Sequence, residues 1–305
     1  MSSILSNSVK SVNTSNSSNN SDSSSTEIIN MHQCFEIFGF DFTDESIIDS
    51  SGSDREDEEP RKQRGECRLQ YAANEYCFES SPSSSSPTTT TTKRGDHYFF
   101  NFNDIIIYAN SNDLLNLLIG LTQRKQRTFL SININAFGKK FDDIEWNIES
   151  NKMKCQPNAG GGSFLSEIFS CEIITRILDV QLFKTEMEIK YFFINRPMTD
   201  YLINFRHPYN LTLGVSVTRA YAHKRKFTKF DAYRLLTKKL AGINSSTKNI
   251  TNARIWKQIL HIWCPSGKVA KVVKKVYNKL DEKLKSNTVV IVTIVNCKWV
   301  FTNIR

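Results

Sequence analysis

Apolar positions recur with a regular period only in the second two thirds of the chain. Residues 128–134 alternate Thr128, Leu130, Ile132 and Ile134 against Phe129, Ser131 and Asn133, the period of a half-buried strand. Residues 98–108 mix aromatic and β-branched side chains and should contain a strand. Residues 112–121 read as a short helix capped by Ser111 or Asn112. Residues 142–148 predict a short strand or turn anchored by Trp146. Over 166–180, Ile168, Phe169, Ile173, Ile177 and Leu178 fall at helical spacing. Glu167 and Glu172 lie off that stripe, and Glu172–Arg176 reads as a surface i,i+4 pair.

Three strands are expected between residues 183 and 222. In the first, Glu186, Glu188 and Lys190 share one face, with Met187, Ile189, Tyr191 and Phe193 on the other. The second, 199–205, holds Asp200 at its mouth. In the third, 211–221, Gly214, Ser216, Thr218 and Ala220 form a small-residue face suited to close approach by a helix or ligand. A helix follows from Thr228 or Lys229 to Leu240, with Gly242 as its C-cap and 244–250 as a loop. Residues 254–264 alternate as a strand, and 268–284 carry the apolar stripe of one helix. Residues 288–294 are the continuous apolar run of a strand covered on both faces, and Trp299–Thr302 lie after a turn. Alternating helices and Val/Ile-rich strands predict an α/β fold: one domain over 93–305, a mixed central sheet with helices packed on its faces.

Residues 1–92 lack this patterning. Ser and Asn dominate 1–27, an acidic run over 41–59 ends in DREDEE, and 80–92 is a Ser/Pro/Thr spacer. Such a composition predicts a long disordered tail and linker. The apolar island at 31–40 (MHQCFEIFGF) would dock on the body or engage a protein partner. Charge divides the chain in the same place. Residues 1–92 carry 6 Lys/Arg against 15 Asp/Glu; the rest carry 34 against 16. A basic body prefers polyanions: nucleic acid, an acidic surface, or its own tail.

Seven cysteines without a CxxC pair fit free thiols in a reducing compartment, cytoplasmic or nuclear. No apolar leader opens the chain and no run approaches a membrane span. Gly160–Gly162 lie outside any GxxxxGK[ST] pattern, so they read as a hinge or close backbone approach. His261 reads as a packed or hydrogen-bonded core-edge histidine rather than a ligand. A Cys nucleophile, Cys171 or Cys264 with His223 or His261, has no local motif behind it.

Two basic groups of residues fit phosphate contact. The turn holding His223, Lys224, Arg225, Lys226 and Lys229 is interrupted by Phe227, and Lys274 and Lys275 stand on the lysine side of the 268–284 helix. The acidic row offers the other chemistry: Glu186, Glu188 and Asp200 with Lys190, of which Glu188 and Asp200 would hold Mg²⁺ against a phosphate.

From Ser163 to Cys264 the order of elements (helix, three strands, helix, strand) resembles the core of the restriction-endonuclease-like superfamily, metal-dependent nucleases and their inactive relatives. The resemblance implies a glutamate on the first helix, matched by Glu167 or Glu172, and an aspartate on the second strand, matched by Asp200. Its acidic-x-Lys on the third strand falls on Ser216 and Thr218, a departure, while an ExK occurs one strand earlier as Glu188-Ile189-Lys190. The chain is therefore expected to bind nucleic acid as a Mg²⁺-dependent nuclease-like domain. The alternative is a noncatalytic interaction or scaffold protein with a disordered tail.

Overall fold

The computed structural model describes residues 90–102, 105–123, 126–157, 162–205, 211–302 and 304. The expectations for 1–89, including the apolar island, and for Gly160 and Gly161 lie outside them. Nine strands form one sheet: β1 (Thr90–Arg94), β2 (His97–Phe102), β3 (Ile105–Asn110), β4 (Phe129–Asn135), β5 (Val180–Thr185), β6 (Tyr201–Phe205), β7 (Thr212–Arg219), β8 (Lys257–Cys264) and β9 (Thr288–Val295). Their spatial order is β1-β2-β3-β4-β9-β8-β7-β6-β5. The middle, β4-β9-β8-β7, is parallel, and both wings are antiparallel. The mixed α/β sheet expected from the pattern is therefore the fold. It begins earlier than expected, because Thr90–Thr92 already pair with β2.

The helices are α1 (Ser111–Thr122), α2 (Ile148–Cys155), α3 (Phe164–Leu178), α4 (Lys229–Asn249), α5 (Gly267–Tyr277), α6 (Glu282–Lys285) and α7 (Lys298–Thr302). Alternation along the central strands sorts them onto the two faces. Ile259 and Trp263 of β8, with Val289 and Ile291 of β9, pack with α1, α2, α3 and α7. Their neighbours Leu260, Ile262, Cys264, Val290 and Val292 pack with α4 and α5. This is why β8 and β9 are buried along their length. Trp146 is the anchor its sequence suggested, buried against Phe141 and Phe169.

Several local expectations are overturned. Residues 186–190 are not a strand: β5 ends at Thr185 and Glu186–Glu188 form a 3-10 turn. Glu188 Oε2 accepts from the Thr185 amide at 2.8 Å and its hydroxyl at 3.1 Å, a capping box that stops the ladder despite the period-two sequence. α4 runs through Gly242 to Asn249, since Ile243 continues the buried stripe of Leu236 and Leu240. The 268–284 helix is two helices. Asp281 accepts from the Lys283 amide at 2.8 Å and starts α6. Lys285, at the end of α6, is buried; it is bound to Glu282 at 2.6 Å and lies over the Tyr277 ring. Glu172–Arg176 is not a surface pair either: the side chains are 0% and 5% exposed.

Candidate carboxylate site and basic face

One end of the sheet gathers the N-terminus of α3, the start of β6 and the end of β7. Ser163 is the N-cap residue of α3, and its hydroxyl donates to Glu167 Oε1 at 2.5 Å. Glu167, a turn into the helix, is 7% exposed. Asp200 extends the β6–β7 ladder beyond Tyr201. Its amide donates to the Val215 carbonyl at 3.0 Å, and its Oδ2 accepts from the Val217 amide at 2.5 Å. Lys239 reaches across from α4 and donates to the Val217 carbonyl at 2.9 Å. Side chains thus hold both backbone groups of Val217, an acid on the N–H and a lysine on the C=O. Arg219 closes the far side, donating to the carbonyls of Gly162, Val300 and Phe301.

The electrostatics follow from burial next to like charge. Burial pushes the Glu167 carboxyl up to about 7, and Asp200 and Glu186 push it the same way. The Ser163 hydrogen bond and Lys239 oppose that rise. Asp200 is raised by burial too, against the pull of Lys239 and the Val217 N–H. Tyr191 is pushed up to about 12, by burial first and then by Glu186 and Asp200, with Thr199 hydrogen bonds opposing. Burial lowers Arg219, and Glu167 counters it.

Of the acidic row, Asp200 is in this site and Glu186 is near enough for its charge to reach Glu167 and Tyr191. Glu188 faces Thr185 and lies 3.5 Å from Lys152. Lys190 is exposed, its amide held by Asn252 Oδ1 at 2.9 Å. The partners gathered around Asp200 are Glu167 and Lys239. Sequence reasoning offered Glu167 as a match for the helix glutamate but did not single out Lys239, which no motif marks.

Could this site hold Mg²⁺? Mg²⁺ commonly takes one or two carboxylates and completes its shell with water and phosphate oxygens. A buried Glu167 and a half-buried Asp200 that raise each other's cost of ionising fit that demand, since a cation would offset their mutual repulsion. Among the described residues no group of three or more His, Cys, Asp or Glu is placed to hold a metal.

The two basic groups named from the sequence lie in the turn after β7, at the start of α4 and on α5. His223, Lys224 and Lys226 are exposed in the turn after β7, as is Lys229 at the start of α4. Arg225 grips Asp231 through two hydrogen bonds of 2.6 and 2.7 Å, while Thr228 and Asp231 form the capping box that starts α4. Lys274 and Lys275 are exposed on α5. Between β7 and α4 lies a surface pocket of about 510 Å³, whose wall includes Arg219, Tyr221, Phe227, Tyr233, Arg234 and Lys238. Arg219 joins that pocket to the carboxylate site. Elsewhere His261 is fully buried and held between Ser170 and Thr293. Burial drops it to about 3, which keeps it neutral, and both ring nitrogens are taken by those hydroxyls. Burial also pushes the Cys171 thiol far up and Cys264 up to about 12, the opposite of an activated nucleophile.

No family model matches the chain, and no solved structure matches it. Over 145 residues, 45% of this chain, it is 39% identical to the AAC-rich mRNA clone AAC4 protein of Dictyostelium discoideum. The match covers 20% of that relative's length. Among the described residues no helix is long and apolar enough to cross a membrane.

Proposed function

We propose that the domain binds nucleic acid and is a nuclease-like core of the restriction-endonuclease type, with Glu167, Asp200 and Lys239 as its phosphodiester site. The observation that carries this reading is that Asp200 and Lys239 meet at Val217, on the third strand of the α3–β5–β6–β7–α4–β8 series, with the buried Glu167 near enough for the Asp200 charge to act on it. Ser216 and Thr218 stand where the resemblance implies an acid and a lysine, and Lys239 supplies the ammonium from α4 instead. Mg²⁺ bound there would screen the phosphate and lower the pKa of an attacking water. Glu167 and Asp200 would hold the ion, and Lys239 would orient the phosphate or water. The exposed lysines of α5 and of the turn after β7 would engage phosphates away from the site.

Labelled DNA and RNA incubated with the full chain and Mg²⁺ test this. Binding should fall steeply with salt. Cleavage should require Mg²⁺ and drop by about 100-fold or more in Glu167→Gln and Asp200→Asn, with binding retained. Binding without cleavage in the wild type would reduce the proposal to an inactive relative, and no binding at low salt would contradict it. A second reading, a noncatalytic interaction protein, is favoured by one surface: Phe192, Phe193 and Ile194 are 73%, 57% and 88% exposed.

A further inference from the structure

The pocket between β7 and α4 differs from the rest of the basic face because it is aromatic. Tyr221 and Tyr233 are 40% and 53% exposed within it, and Phe227 forms part of its wall. Phosphate binding alone needs no aromatic rings, and leaving them in water forgoes their burial. The rings are braced. Tyr221 packs on Phe301 with ring centres 5.4 Å apart, and two residues before it the end of β7 is fixed by Arg219 on Gly162, Val300 and Phe301. The pocket's acid, Asp231, is already neutralised by Arg225 and occupied by Thr228, so it does not repel an anion. Arg234 and Lys238 are exposed beside the rings. A volume of about 510 Å³ lies within the ~300–1,000 Å³ typical of small-ligand sites.

We infer that this pocket takes an unpaired nucleobase against Tyr221 and Tyr233 while Arg234 and Lys238 hold the neighbouring phosphates, so that the preferred nucleic acid is single-stranded. Every base has a π-face, so stacking on aromatic rings beside cations is how single strands are held without reading sequence. A paired base keeps its faces inside the duplex and cannot enter. Because Arg219 is shared with the carboxylate site, a base here would bring its strand toward Glu167 and Asp200. The inference rests on the nucleic-acid binding proposed above and adds which form is bound.

Fluorescence anisotropy of the full chain with labelled oligouridylate, oligothymidylate and a duplex of equal length decides it. Single strands should bind about tenfold or more tighter than the duplex. Tyr233→Ala should cost the single strands about tenfold and leave the duplex unchanged, while Tyr233→Phe keeps wild-type affinity. Equal preference between uridylate and thymidylate would mean stacking alone, and a preference for uridylate would add a 2′-hydroxyl contact; either supports the pocket. Duplex binding as tight as single-strand binding, or Tyr233→Ala without effect, overturns this inference and leaves the proposed binding standing. Failure to bind any of the three overturns both.

Discussion

α3 carries two buried glutamates that the fold treats in opposite ways. Glu172 is enclosed with its partners: Oε1 accepts from Arg176 Nε at 2.5 Å, Oε2 from the Asn147 amide at 2.9 Å, and Arg176 lies 4.2 Å from the centre of the Phe102 ring. Glu167, a turn nearer the N-terminus, has a serine hydroxyl and two like charges nearby, opposed by Lys239, which also donates to the Val217 carbonyl. The first arrangement closes a charge into the core. The second sets a carboxyl among like charges at the rim of the sheet, opposed by the charges of Lys239 and Arg219. Burial is common to both; what separates them is the neighbouring charge, an arginine bound to Glu172 and acids beside Glu167.

The contrast breaks most visibly through Glu172→Ala, which strands Arg176 in the core. The expected destabilisation is about 3–5 kcal/mol in equilibrium denaturation. A change under about 1 kcal/mol would show that the pair is not the closed unit described. The opposite sign is expected for Glu167→Gln. In the folded state this carboxyl sits at about 7 against 4.5 unperturbed, so between those values the folded protein holds the extra proton. Wild-type stability therefore falls as pH rises through that window, and Glu167→Gln removes the fall. The variant should be more stable near pH 8 by on the order of 2–3 kcal/mol, with the advantage gone at about pH 4. Thermal melts of both proteins across that range check it.

A smaller effect sharpens the other half of the picture. Replacing Lys274 and Lys275 by Ala should weaken nucleic-acid binding alike for all sequences. The slope of log affinity against log salt should flatten by about one unit for each phosphate no longer neutralised. Smaller again is Gly242→Ala. Helix propensity favours it by about 1 kcal/mol, but the new Cβ would stand 3.3 Å from Pro197 Cβ. The net change should stay within about 0.5 kcal/mol, read by chemical denaturation.

The sheet was legible where burial imposes a period. β4 alternates because one face is wet, and β9 is apolar throughout because helices cover both sides. The row Glu186, Glu188, Lys190 shows the same period for an unrelated reason, since a capping box at Thr185 outweighs it. An i,i+4 Glu–Arg spacing looks the same on a surface as in a core; only Asn147 and Phe102, distant in sequence, reveal which it is. Asp200 and Glu167 were reachable through the resemblance in element order. Lys239 was not, because it meets Val217 only through the crossover from β7 to β8, and nothing in its local sequence distinguishes it from the other lysines of α4.

Isothermal calorimetry of Mg²⁺ with the full chain near pH 8, wild type beside Glu167→Gln, bears most directly on the carboxylate site. Micromolar to low-millimolar binding is expected in the wild type and should disappear in the variant, while Glu188→Gln binds as the wild type does. No binding in any of the three, or loss in Glu188→Gln with Glu167→Gln unaffected, would contradict a metal site built on Glu167 and Asp200.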